Sequence, residues 1–180
     1  MPFRVVTVDL RCWPEDSVVD SAISSLGLSA AGLGHMLGGF VHSELERPDR
    51  GFQQDLAESI ERHLRTCLTT NGLVIASTRY SLRLNEEADF AVARSYGGPR
   101  VFFEVEFRPN VEKDLVKFQI GANAETLILG VLILAIDRNN INPRYKTMPE
   151  FSKFTRVIDE LRPSYPLLML GFRGTREASA

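Results

Sequence analysis

The chain has 180 residues, of which 44% are hydrophobic and 24% charged, with a formal net charge of −2. That is enough apolar material for one packed domain and excludes disorder as the dominant state, while no window of about 18 uncharged apolar residues offers a membrane span. The near-neutral balance argues against nucleic-acid binding by bulk charge alone, though not against binding through a local basic surface.

Residues 3–10 are short and β-branched and predict a strand or an extended arm. Met1-Pro2-Phe3-Arg4 lacks the pattern of a secretory leader, and Cys12 and Cys67 are too few for a disulfide framework. A reducing cytoplasm is the expected compartment. Residues 15–25 predict a helix opened by Glu15 and Asp16, as the helix dipole prefers. The Gly-, Ala- and Leu-rich segment 26–40 places Leu37 where a dinucleotide fingerprint needs its third glycine, so helix or loop packing is expected there.

Phe52, Leu56, Ile60, Leu64 and Cys67 recur every three or four residues on one face of a helix that ends near Asn71-Gly72. Leu73–Ala76, Arg79–Leu84, Ala88–Arg94 and Arg100–Phe107 read as extended, the last two joined through Gly97-Gly98. Asn110 caps a helix over 111–124, and Thr126–Ile136 is a near-continuous apolar strand. A polar loop runs to Pro149, followed by a helix over 150–161, a strand over Pro166–Gly171 and a frayed C-terminus. The order from 51 to 136 describes an α/β domain with a mixed sheet.

Side chains alternate along a strand, so Val101, Phe103, Val105 and Phe107 share one face, and Phe102, Glu104 and Glu106 the other. A two-residue turn at Gly97-Gly98 puts Asp89 opposite Glu106, with Glu104 diagonal to it and paired Cβ atoms about 4.5–5.5 Å apart. Three carboxylates on one apolar patch repel one another, and burial raises the cost of each charge. A hard divalent cation such as Mg²⁺ resolves that conflict with few protein ligands. The plainer alternative is a solvated pair of glutamates on an open sheet face.

Asp89, Glu104-Val105-Glu106-Phe107, Asp114-Leu-Val-Lys117-Phe-Gln119 and Leu129-Gly-Val-Leu-Ile-Leu together resemble the BamHI/BglII-type branch of the PD-(D/E)XK nuclease superfamily. The resemblance implies an α/β restriction-endonuclease-like core, a central mixed β-sheet flanked by α-helices. The resemblance covers about residues 51–136, the catalytic core, within a single domain that also has an N-terminal extension (1–50), read as a dimer contact or an extra sheet edge, and a C-terminal loop, helix and strand (137–180). It also implies a Mg²⁺-dependent endonuclease acting on double-stranded DNA as a homodimer, off the membrane. Asp89 and Glu104 would be metal ligands, and Glu106 would stand in for the family's lysine, orienting or deprotonating the attacking water.

Family members often carry an acid on the first core helix. Among Asp55, Glu58 and Glu61, Glu61 flanks the apolar stripe best, against the alternative of a solvated pair with Arg65. Lys113 and Lys117 lie together opposite the core stripe of helix 111–124. They are candidates for phosphate contact, or for a lysine that has migrated to the active site, against a plain solvated pair. Arg138, Arg144, Lys146, Lys153 and Arg156 face one acid, Glu150, over 138–156, and this stretch is a candidate DNA-contacting surface. His35, His42 and His63 form no zinc pattern. The competing readings are a binding module with the same fold and no catalysis, and a different metal-dependent phosphohydrolase.

Overall fold

The computed structural model describes residues 2–42, 52–81, 84–107, 111–138, 141 and 148–176. In chain order the elements are β1 (Phe3–Trp13), α1 (Asp16–Ser24), α2 (Ala30–Gly38), β2 (Val41–His42), α3 (Phe52–Thr70), β3 (Val74–Ile75), β4 (Arg79–Ser81), β5 (Leu84–Glu87), β6 (Phe90–Ala93), β7 (Arg100–Val105), α4 (Val111–Asn123), β8 (Leu127–Ala135), α5 (Phe151–Leu161) and β9 (Leu167–Arg176). Seven strands form one sheet in the order β2-β1-β9-β8-β7-β6-β3, and β4 pairs with β5 in a separate hairpin. The β7-β8-β9 centre is parallel and the flanking pairs are antiparallel.

Strand alternation builds the layers. Val101, Phe103 and Val105 of β7, Leu129, Val131 and Ile133 of β8, and Leu168 and Leu170 of β9 face one cluster with Val19 and Ile23 of α1, Leu33 and Leu37 of α2, and Leu56, Ile60, Leu64 and Leu68 of α3. Phe102, Leu132, Leu134 and Met169 face the other with Val111, Leu115 and Phe118 of α4 and Phe151 and Ile158 of α5. The result is a three-layer α/β/α arrangement whose central strands are apolar on both faces. Close approach of the second layer depends on two glycines. A Cβ at Gly130 would lie 2.8 Å from Phe118, and one at Gly171 would lie 2.5 Å from Phe151.

Within the described part of residues 1–50, β2 and β1 form one edge of the sheet, with β1 paired to β9, and Phe3 and Val5 belong to the first cluster. Two expectations change. The C-terminus is not frayed at Gly174–Arg176, which pairs with Phe3–Val5, and Phe3 lies over Gly174 so closely that a Cβ there would overlap its ring. The last strand therefore runs past Gly171. Finally, the extended stretch expected at Arg79–Leu84 does not form one strand of the main sheet: Arg79–Ser81 is β4, Leu84 opens β5, and the two pair antiparallel in a separate sheet.

Candidate active site

The β6–β7 hairpin differs from the expected register by two residues. Phe90 pairs with Phe103, Ala91 with Phe102 and Val92 with Val101. The reversal is the β-turn Ser95–Gly98, closed by the Gly98 amide donating to the Ser95 carbonyl at 3.2 Å, and its third residue, Gly97, has φ +82°. The central pair is thus Tyr96-Gly97 and not Gly97-Gly98. Continuing the register outward places Asp89 opposite Glu104 instead of Glu106. A shift of two preserves the face, so the grouping of Asp89 with Glu104 survives. The Val105 amide donates to Asp89 Oδ2 at 2.7 Å and fixes the carboxylate beside β7.

Glu104 is 4% exposed and points into the layer formed by α4. Tyr80 of β4 donates its hydroxyl to Glu104 Oε1 at 2.8 Å. Lys117 Nζ of α4 donates to the same Oε1 at 2.9 Å and to Asp114 Oδ1 at 2.9 Å. Asp114 is 2% exposed, and its Oδ2 has no hydrogen-bond partner among the described residues. Glu106, just past the end of β7, is half-buried.

The electrostatics follow from crowding. Burial pushes the Glu104 carboxyl up to about 8, the charges of Asp114 and Asp89 push the same way, and Lys117 opposes them. Burial likewise raises Asp114, against the Lys117 bond. Burial works to discharge Lys117, but Glu104 and Asp114 outweigh it and hold the ammonium above its ordinary range. Burial and the Glu104 charge keep the Tyr80 phenol protonated. Asp89, Glu104, Glu106 and Asp114 thus set four carboxyls against one ammonium.

A site with surplus negative charge, a buried carboxylate oxygen left unbonded and hard oxygen donors suits a hydrated Mg²⁺. Among the described residues no three His, Cys, Asp or Glu side chains gather as a ready-made cage. Mg²⁺ does not need one, since one or two carboxylates with waters suffice.

The remaining expected residues fall as follows. Glu61 lies on α3, in the opposite layer, where Arg65 Nε pairs with it at 3.2 Å. Burial pushes its carboxyl up, Arg65 opposes, and the Asp89 charge reinforces the rise. Of its rivals, Glu58 is exposed and accepts from Gln54 at 3.1 Å, and Asp55 is half-buried. Lys113 and Lys117 part company: Lys113 is exposed and pairs with Glu86 at 3.3 Å, whereas Lys117 turns inward to the carboxyls. Arg138 and Lys153 both pair with Glu150, at 3.5 and 3.0 Å. Arg144 and Lys146 lie outside the described residues.

Sequence reasoning missed Tyr80 and Asp114 as site residues. Asp114 stands three and four positions from Val111 and Phe118, on the edge of the core stripe, which is an unusual place for an acid. Tyr80 carries no comparable signal, because its hairpin is not a repeat of the main sheet's pattern.

No family model matches the sequence, and no curated protein matches it. Among solved structures the chain is similar to the restriction endonuclease BglII in complex with a DNA 16-mer, with a TM-score of 0.59, 11% identity and coverage of 97% of this chain and 79% of that one. The likeness is one of fold: the chain has a restriction-endonuclease-like α/β architecture with a central mixed sheet. Among the described residues no helix is long and apolar enough to cross a membrane.

Proposed function

We propose that the protein is a Mg²⁺-dependent endonuclease that hydrolyses phosphodiester bonds of double-stranded DNA. The observation that carries this reading is the meeting of Asp89 and Glu104 across neighbouring antiparallel strands, with Lys117 bonded to Glu104. Asp89 and Glu104 would hold the cation. When bound, Mg²⁺ supplies polarisation of a phosphoryl oxygen and a more acidic water.

The chain's own residues divide the remaining work. Lys117 is held protonated by two carboxyls, so it cannot serve as a general base near neutral pH. It is suited to offset charge on a phosphate oxygen. Glu106, half-buried beside the pair, is the group suited to orient the attacking water and take its proton. Lys113 on the exposed side of α4, with Arg138, Arg144 and Lys146, is suited to contact the DNA backbone. A second copy of the chain would supply the second cut of a duplex.

A binding module without catalysis is favoured by one observation, the closed Lys117–Glu104–Asp114 arrangement, which already neutralises part of the surplus charge. Supercoiled plasmid separates the two. Nicking and linearisation with Mg²⁺, abolished by chelator and by Glu104→Gln, support the nuclease. DNA retention without cleavage in any divalent ion supports the module. Sedimentation of the free protein tests the second copy.

A further inference from the structure

We infer that Tyr80 is a positioning residue of the metal site: its hydroxyl shares Glu104 Oε1 with Lys117 and so leaves the other carboxylate oxygen for the cation. The inference rests on the Mg²⁺ reading above and deepens it. Tyr80 is fully buried, yet it comes from β4, outside the main sheet. Its ring stacks on Phe102 with centroids 4.4 Å apart and an interplanar angle of 23°. Phe118 meets it edge-on at 5.9 Å. On a third side is Gly121 of α4, where a Cβ would lie 2.9 Å from Tyr80 Cδ1. The backbone is fixed as well, since Thr126 Oγ1 donates to the Tyr80 carbonyl at 2.7 Å. The phenol therefore has little freedom, and its one polar atom meets Glu104 Oε1 at 2.8 Å.

A carboxylate oxygen has two in-plane lone pairs. The Tyr80 hydroxyl and the Lys117 ammonium use both on Oε1. A cation would then be confined to the other oxygen, in a carboxylate that cannot rotate without breaking both bonds. Groups that orient a metal ligand in this way typically change metal affinity by about 10–100-fold when removed.

Isothermal titration of the full chain with MgCl₂ tests this, alongside plasmid cleavage. Tyr80→Phe keeps the ring and its stacking while removing the hydroxyl. It is expected to weaken Mg²⁺ binding about tenfold and to raise the Mg²⁺ needed for half-maximal cleavage by the same factor. The rate at saturating Mg²⁺ should stay within about threefold of wild type. In a Glu104→Gln background, Tyr80→Phe should change Mg²⁺ affinity no further, whereas a merely structural loss would add to that of Glu104→Gln. Unchanged Mg²⁺ affinity in Tyr80→Phe, or additive losses in the double variant, overturns the inference while leaving the nuclease reading intact. A wild-type chain that binds no Mg²⁺ overturns both.

Discussion

Asp89 and Val105 are joined across the β6–β7 hairpin by a bond from the Val105 amide to Asp89 Oδ2 at 2.7 Å. Asp89 itself is exposed, so this bond does what burial does for Glu104: it holds a carboxylate in one place. One of its oxygens is engaged with the backbone. Asp89→Asn retains an acceptor for that amide. It should leave thermal stability within about 0.5 kcal/mol of wild type, as surface changes usually do. Mg²⁺ affinity by calorimetry and the cleavage rate should both fall by at least about tenfold. A variant that loses its fold would show instead that Asp89 is chiefly a hairpin brace.

The Glu104 carboxyl gives the apo protein a distinctive pH dependence. Its pKa is raised from an ordinary 4.5 to about 8, with burial as the leading cause. The native state therefore binds this proton more tightly than the unfolded chain does. The stability it contributes is fully present below about pH 4.5 and is lost as pH rises through about 8. Glu104→Gln stays neutral throughout. In chelator it should be about 1–2 kcal/mol more stable than wild type at pH 8, with little difference at pH 5, while cleavage falls to background. Chemical denaturation at the two pH values measures this. A variant less stable than wild type at pH 8 would mean that Lys117 overcomes the burial of Glu104.

Lys117 acts in the opposite sense. Its side chain is 13% exposed and bonded to both Glu104 and Asp114. Lys117→Met leaves two buried carboxyls with no ammonium between them. At low pH they can protonate and the loss should be small. At pH 8 the loss should approach about 3 kcal/mol, the lower range for breaking a buried pair. Denaturation midpoints at pH 5 and pH 8 give the difference, and equal losses at the two would count against a charge-based role.

Gly130 tests how α4 is seated. A Cβ there would lie 2.8 Å from Phe118 Cγ, and Phe118 also packs edge-on against Tyr80. Gly130→Ala should cost about 1–3 kcal/mol through overpacking. For a chain of this size that lowers the melting temperature by about 2–4 °C per kcal/mol. Because the displaced ring supports the Tyr80–Glu104 bond, Mg²⁺ affinity should fall as well.

Much of this arrangement is legible in the residues. The spacing of Leu56, Ile60 and Leu64 gives α3, and all three are fully buried. The apolar run through β8 gives the central strand, and the Val-Phe-Phe run before Glu104 signals that this acid is buried. The parts that stay hidden are long-range. Nothing local tells β1 to pair with β9, whose partner residues are more than 150 positions away. Gly97-Gly98 is the stronger dipeptide signal, yet the bend is centred one residue earlier, on Tyr96-Gly97, where only Gly97 takes a positive φ. Lys117 could be read as solvated or as part of the site, since a helical pattern gives its direction but not the carboxyls waiting there.

The Ser95–Gly98 reversal has a consequence for how this hairpin can change length. Adding or removing two residues within it would slide Asp89 along β7 yet keep the acid on the side that faces α4. A single insertion would carry it through to the α3 side, among Leu56 and Ile60. Chains descended from this one should accordingly vary the loop in even steps, and an odd step should mark a lineage that has given up the chemistry.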